Sequence, residues 1–325
     1  MCESMKVVIY GASVTAQKGN AGYFENLEQI IPDAIELVRI PYGASHLHFA
    51  GIAMLQKVIN EQPDVCILDW VTPSTKVFPQ GIVDKINSIL VSNGIHPIWL
   101  LLPRIDDPSS QRECCNQIRQ SASAKVSVVS FVESEFNEPD LSKILRDVVH
   151  TNSSGAEKYS QFIVNIIDNV NLTLKKAEVP QSAPYISQCE GTITKNSKLT
   201  IEVTVEEVSS VKLFLFGRIG PKSPIIDLAL IDSEGCEKTT MKNVVDPWCY
   251  YERDMLLDTP SFEKLSKGNY RIEISLQNSD PFENVRTLKP IDKEFKLQSH
   301  LERFLNISEI SVDGSVKVRS INYGI

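Results

Sequence analysis

A chain of 325 residues, 42% hydrophobic and 23% charged, is long enough for two buried cores and has the composition of ordinary globular domains. Its formal charge of −8, with no basic stripe, argues against nucleic acid and anionic membrane surfaces as partners. No apolar run approaches the roughly 20 residues of a membrane helix, and Met1-Cys-Glu-Ser-Met-Lys6 lacks the basic start and apolar stretch of a secretory signal, so a cytoplasmic protein is expected. The seven cysteines are an odd number without regular spacing, which predicts reduced thiols and neither a disulfide framework nor a structural metal.

The first half alternates short apolar runs with amphipathic segments. Strands are predicted at 6–10, 35–40, 64–69, 96–102 and 126–131. Helices are predicted at 22–31, 47–61, 80–93, 109–123 and 139–147, with a final one from Ser154 to about Leu174, capped by Ser153 or Ser154. Runs apolar throughout and separated by helices indicate a parallel sheet covered on both faces, an α/β domain over residues 1–174. Residues 175–190 read as a linker. Beyond them, alternating segments at 198–205, 211–216, 225–232, 269–276 and 315–321 are punctuated by Gly217, Gly220-Pro221 and Lys267-Gly268. That pattern predicts an antiparallel β-sandwich over residues 191–325.

Two short motifs carry chemistry. Tyr10-Gly-Ala-Ser-Val-Thr15 follows the first strand, and catalytic groups in parallel α/β folds gather at the carboxyl ends of strands. Ser13 would sit on that turn with its hydroxyl exposed and its own N–H available to an oxyanion. Far downstream, Asp147-Val-Val-His150 places a carboxylate three residues before a histidine, the only one of the five histidines with an acid at that offset. Asp147 can accept from Nδ1 of His150, leaving Nε2 as a base toward Ser13. Alone, either motif is unspecific: Gly-x-Ser after a strand is often a plain turn, and Asp-x-x-His is often a solvated helix end. Together, at opposite ends of one parallel domain, they are the parts of a serine acyl-transfer site.

On these residues the chain resembles the SGNH or GDSL superfamily of serine esterases and O-acyltransferases, over residues 5–172. Gly11-Ala-Ser-Val-Thr15 is similar to the family's serine block, with Ala12 where an aspartate often stands, and Asp147-Val-Val-His-Thr-Asn-Ser-Ser-Gly155 is similar to its last block. The resemblance implies a flavodoxin-like, three-layer, five-stranded parallel sheet and the triad Ser13, His150 and Asp147. It also implies oxyanion donors from Ser13 and, in Pro41-Tyr-Gly-Ala-Ser45, from Gly43. The chain departs from the family after the third strand, where Leu68-Asp-Trp-Val-Thr-Pro-Ser74 has no asparagine. Thr72 or Ser74 would have to donate instead, or the site would run with two donors. A missing donor costs about 2.7–4 kcal/mol of transition-state stabilisation. Asp69 stands where a charge would oppose the oxyanion, which leads us to expect it turned away, toward Arg104.

Other candidates have plainer readings. His46, Asp69 and Trp70 are the expected substrate-contacting residues. His46 and His48 lack a third ligand at suitable spacing for a metal, so pocket lining or surface is the better reading. Asp106-Asp107 could meet substrate hydroxyls, although a solvated loop accounts for it. Asp246-Pro-Trp-Cys-Tyr-Tyr-Glu-Arg-Asp254 combines aromatic faces with charges, as a carbohydrate-binding accessory domain would, and equally as a packed strand would.

The expected function is a serine-dependent esterase or deacetylase acting on an O-acylated small molecule or carbohydrate, without metal or redox cofactor. The alternative is an O-acetyltransferase of glycan biosynthesis that uses acetyl-CoA as acyl donor. A third reading, of another class, is a binding or scaffold protein with weak chemistry on the same fold. Nothing in the sequence fixes the oligomeric state.

Overall fold

The computed structural model describes residues 4–74, 76–106, 108–134, 140–170, 177–220, 223–245, 252–277 and 303–324. The chain divides into two compact units, Met1–Ala183 and Pro184–Ile325.

The first unit is built on five parallel strands: β1 (Met5–Gly11), β2 (Ile35–Pro41), β3 (Val65–Asp69), β4 (His96–Leu101) and β5 (Ser127–Ser130). Their order is β2-β1-β3-β4-β5, with every pairing parallel. This is the flavodoxin-like arrangement, in which the carboxyl ends of β1 and β3 lie side by side at the switch point. β3 and β4 are buried along their whole length, as continuous apolar runs under two layers of helices must be. The edge strand β2 carries Glu36 and Arg39 and is only partly covered. Among the described residues the α-helices are, in chain order, α1 (Ser13–Ala16), α2 (Tyr23–Ile30), α3 (Leu55–Asn60), α4 (Ile82–Ser92), α5 (Ser109–Gln120), α6 (Phe131–Ser134), α7 (Leu141–Ile144) and α8 (Ser153–Asp168). Val7, Ile9, Leu27, Ile67, Tyr159 and Ile163 from β1, β3, α2 and α8 meet in one core.

Three helices differ from the sequence expectation, each for a local reason. The helix expected over 47–61 begins as a π-turn at Leu47–Gly51 and becomes regular only in α3. There the buried Tyr10 hydroxyl donates to the Ala50 carbonyl, which also accepts from Met54 N; a side chain inserted into the ladder disturbs its winding. The helix expected over 139–147 shrinks to α7, which is capped by the Asp140 carboxylate accepting from Ser142 N at 3.2 Å. α8 is capped by Asn152, whose Oδ1 accepts from Gly155 N at 3.0 Å, and not by Ser153 or Ser154. A Cβ on Gly155 would lie 2.0 Å from the Ile144 carbonyl oxygen, so only glycine lets α8 start this close to α7.

The second unit is the expected sandwich. Its strands are β6 (Tyr185–Ile193), β7 (Lys198–Val205), β8 (Ser209–Ile219), β9 (Ile225–Asp232), β10 (Glu237–Asn243), β11 (Arg253–Asp258), β12 (Phe262–Leu265), β13 (Gly268–Leu276), β14 (Leu305–Asp313) and β15 (Val316–Gly324). One sheet runs β10-β9-β13-β7-β15 and the other β11-β8-β14-β6, with β12 on β8, and all pairings are antiparallel. Ile201, Leu228 and Ile272 from the first sheet and Leu213, Leu215 and Ile310 from the second share one core. The expected linker up to residue 190 ends earlier, because β6 already pairs with β14 from Tyr185 onward. Residues from Ala177 to Gln181 run along the first unit: Ala177 N donates to Ser92 O at 2.8 Å and Gln181 N to Ser92 Oγ at 2.9 Å. Within the aromatic stretch of this unit, Asp246–Tyr251 lies outside the described residues.

Candidate active site

The serine turn grows directly out of β1. Gly11 is the last residue of the strand and pairs with Asp69 at the end of β3. Ala12 N then donates to Asp69 O at 3.1 Å, and Ser13 opens α1 as its first residue, half-buried. An N–H at the first position of a helix has no intrahelical acceptor, so Ser13 N–H is available as a donor. A Cβ on Gly11 would stand 2.2 Å from Thr15 Oγ1 and 2.7 Å from Asp69 O. Glycine is therefore required for β1 to pass between these two residues.

The histidine turn is a self-contained hairpin. Leu145 and Thr151 bridge in antiparallel fashion, and Arg146 N donates to His150 O at 2.8 Å. Inside the loop, Asp147 Oδ1 accepts from the backbone N–H groups of Val149 at 3.0 Å and His150 at 2.8 Å. Both carboxylate oxygens lie 3.0 Å from Nδ1 of His150. Partial burial raises the Asp147 pKa, but the N–H groups of His150 and Val149 and the imidazole outweigh it, and the carboxyl is held below its ordinary value. Engagement of Nδ1 by Asp147 turns Nε2 away from the carboxylate. The pair is accessible: the side chains of His150 and Asp147 are 27% and 48% exposed.

Buried hydrogen bonds tie the two turns together. Gln17, the residue after α1, donates through Nε2 to Thr151 O at 2.8 Å, and Thr151 Oγ1 donates to Ala21 O at 2.6 Å. A residue four places beyond Ser13 is thus fixed to the residue next to His150. From the other side, Ile105 N donates to Val148 O at 3.0 Å, anchoring the histidine turn to the loop after β4. Sequence reasoning missed Gln17 and Thr151, whose identities give no local signal of a pairing across more than a hundred residues.

The remaining candidates divide. Gly43 lies in the exposed turn after β2, where Tyr42 N donates to Gly11 O at 2.8 Å, and a Cβ on it would be 3.8 Å from Ala16 Cβ. The turn carrying Gly43 therefore lies next to the serine helix. Thr72 is buried after β3, and its hydroxyl has no partner among the described residues, whereas Ser74 Oγ donates to Trp70 O at 3.2 Å. His46 is partly buried; burial, and secondarily the charge of Lys76, lower its pKa, while a hydrogen bond to Pro73 opposes them. That places His46 beside the loop after β3. Its ring stacks on His48 with centroids 5.6 Å apart, and among the described residues no group of three His, Cys, Asp or Glu side chains could hold a metal ion.

Two expected substrate contacts are corrected. Trp70 is fully buried and packs edge-on against Tyr10, with centroids 5.0 Å apart, so it belongs to the core. Asp69 is also fully buried. It does not turn toward Arg104, which instead donates to Thr72 O at 2.7 Å and grips Asp106 with two bonds of 2.7 and 2.8 Å. The Asp69 carboxylate accepts from Thr15 Oγ1 at 2.8 Å and from the Tyr23 hydroxyl at 3.5 Å. Burial pushes its pKa up to about 6, with those two hydroxyls acting in the opposite direction. Asp107 lies outside the described residues.

No family model matches the chain, and no curated protein does. Among solved structures, a two-domain esterase active on acetylated mannans, crystallised with mannopentaose, matches at a TM-score of 0.60 and 12% identity, over 94% of this chain and 90% of that one. A second crystal structure of a two-domain esterase of the same description gives 0.57 and 11%, over 94% and 91%. A lipolytic protein of the G-D-S-L family from Desulfitobacterium hafniense covers 50% of this chain and 99% of its own, at 20% identity and a TM-score of 0.43. The fold is therefore shared with that two-domain esterase over 94% of this chain, and the five-stranded parallel α/β domain expected from the sequence is the one observed.

Proposed function

We propose that this chain is a serine esterase that removes acyl groups, acetyl above all, from an O-acylated carbohydrate. The observation that carries this reading is the Asp147–His150 turn, an accessible imidazole oriented through Nδ1 and anchored by Thr151 to the segment that follows Ser13. Ser13 Oγ attacks the ester carbonyl carbon while His150 Nε2 takes its proton. The N–H groups of Ser13 and Gly43 hold the resulting oxyanion, and without the asparagine the site runs with two donors. On collapse, the imidazolium returns the proton to the leaving sugar oxygen. Water then enters, His150 takes its proton, and attack on the acyl-serine releases the carboxylic acid and restores the serine hydroxyl. The carbohydrate substrate is supported by the fold shared with an esterase active on acetylated mannans.

Hydrolysis of 4-nitrophenyl acetate and of an acetylated mannan, compared between the wild type and Ser13→Ala, tests the reading. The serine variant should lose about 10³-fold or more in kcat/KM and all labelling by a fluorophosphonate probe. Hydrolysis unchanged in Ser13→Ala would refute it. Acetyl transfer from acetyl-CoA to a sugar hydroxyl, with no release of acetate from either ester, would replace hydrolase by transferase.

A further inference from the structure

We propose that Asp69 is a positioning residue for the nucleophile: from the end of β3 it holds the serine turn on both sides of Ser13, with its carbonyl on Ala12 and its carboxylate on Thr15. The role assigned to Ser13 rests on the esterase reading above; the clamp itself rests on geometry alone.

Ala12 N–H and the Thr15 hydroxyl reach Asp69 at 3.1 and 2.8 Å, so residues immediately before and two places after Ser13 are fixed to one rigid strand end. The Tyr23 hydroxyl closes the cluster, 2.8 Å from Thr15 Oγ1 and 3.5 Å from Asp69 Oδ2. The groups packed around the carboxylate come from three elements: Thr15 of α1, Tyr23 of α2 and Tyr159 of α8, whose ring lies 6.4 Å from that of Tyr23. All are neutral, the Thr15 backbone N–H adding to the hydroxyls, and no cation pairs with Asp69 among the described residues. Asp69 Oδ1 and the Tyr159 hydroxyl have no hydrogen-bond partner there. A carboxylate under such cover costs stability, and an apolar side chain would fill the space without that cost. A local rule broken beside a reactive group is what a site built for geometry leaves behind. The collision that a Cβ on Gly11 would make with Thr15 Oγ1 and Asp69 O points the same way, because the strand residue gives up its side chain so that the clamp can close.

The test uses the full chain and removes only the hydroxyl. Thr15→Val keeps the volume and shape but takes the donor from Asp69, and Thr15→Ser restores it. Amide hydrogen exchange over Gly11–Ala16 reads the clamp without reference to any activity. Thr15→Val should speed that exchange at least tenfold while β1 from Met5 to Tyr10 stays as protected as in the wild type. It should also lower kcat on 4-nitrophenyl acetate at least tenfold with KM within twofold, and Thr15→Ser should return both to within twofold. Exchange unchanged in folded Thr15→Val overturns the proposal, as does faster exchange with kcat unaltered in a protein whose hydrolysis depends on Ser13. If Thr15→Val does not fold, Thr15→Ala carries the same comparison. If the wild type shows no hydrolysis or labelling dependent on Ser13, the esterase reading fails and the exchange alone decides the clamp.

Discussion

Asp147 and Asp69, the carboxylates beside the two halves of the proposed site, stand under opposite conditions. Asp147 is 48% exposed and accepts two backbone N–H groups and an imidazole, and its carboxyl lies below the ordinary range. Asp69 is fully buried, accepts from two neutral hydroxyls, and is pushed up to about 6. Burial is the first cause of the difference: complete for Asp69, it outweighs two hydroxyls and the Thr15 N–H, whereas at half-exposed Asp147 two backbone N–H groups and an imidazole that can become a cation outweigh it. An exposed carboxylate with strong donors can answer a charge that appears during reaction. A buried one with weak donors can only hold geometry. On the proposed reading, the histidine half of the site acts electrostatically and the serine half mechanically.

The largest effect that would break this contrast is expected at Asp147. Asp147→Asn leaves the turn nearly isosteric but replaces the charged acceptor at Nδ1 by an amide that can present N–H groups and reverse the tautomer. We expect kcat on 4-nitrophenyl acetate to fall by about 10²–10⁴-fold with little change in thermal stability. A variant that keeps kcat within threefold of the wild type would mean that Asp147 shapes the loop and nothing more.

A smaller effect would sharpen the serine half. Gly43 faces α1 across 3.8 Å, measured from a Cβ it does not have, so Gly43→Ala fits and keeps the backbone N–H. Gly43→Pro removes that N–H. If it is an oxyanion donor, proline should cost about 10²–10³-fold in kcat and alanine less than about threefold. Equal losses in the two variants would assign Gly43 to the turn and not to the oxyanion.

The distribution of legible and hidden features follows the same physics. The parallel sheet was readable because β3 and β4 are buried on both faces and must be apolar throughout, as Val65–Asp69 and His96–Leu101 nearly are. Strand β7 was readable because its residues alternate between core and surface. Strand β6 was not, since Tyr185–Ile193 buries only Ile193 and its Ser, Gln, Glu and Gly residues look like a linker. Ser13, Asp147 and His150 were candidates because two motifs, each unspecific alone, stand at opposite ends of one parallel α/β domain. The buried cluster of Thr15, Tyr23 and Asp69 was not, because threonine and tyrosine in apolar segments read as core and only the folded chain brings them to one carboxylate. Asp69 and Trp70 were misread as substrate contacts for a related reason: adjacency to a predicted loop suggested exposure, whereas Asp69 ends the buried β3 and Trp70, just after it, packs on Tyr10 in the interior.

The last and smallest effect is a stability change that separates the two aspartates by sign. Asp69 has a folded pKa of about 6 against an unfolded value near 3.8, so the folded state keeps a proton that the unfolded state gives up. Stability from this group is therefore fully present below the unfolded value and is lost as pH rises through about 6. The gap between the two values corresponds to at most about 3 kcal/mol at neutral pH. Asp69→Asn removes the titration while keeping an oxygen that can accept from Thr15. The melting temperature of the variant minus that of the wild type should therefore increase between pH 4.5 and 7.5. About 2–4 °C per kcal/mol makes the change readable by calorimetry. Asp147, with its depressed value, has the opposite sign: the stability it contributes is present at neutral pH and lost as pH falls. A difference for Asp69→Asn that stays flat from pH 4.5 to 7.5 would mean that Asp69 keeps one protonation state across the window, and the contrast between the two aspartates would reduce to their exposure.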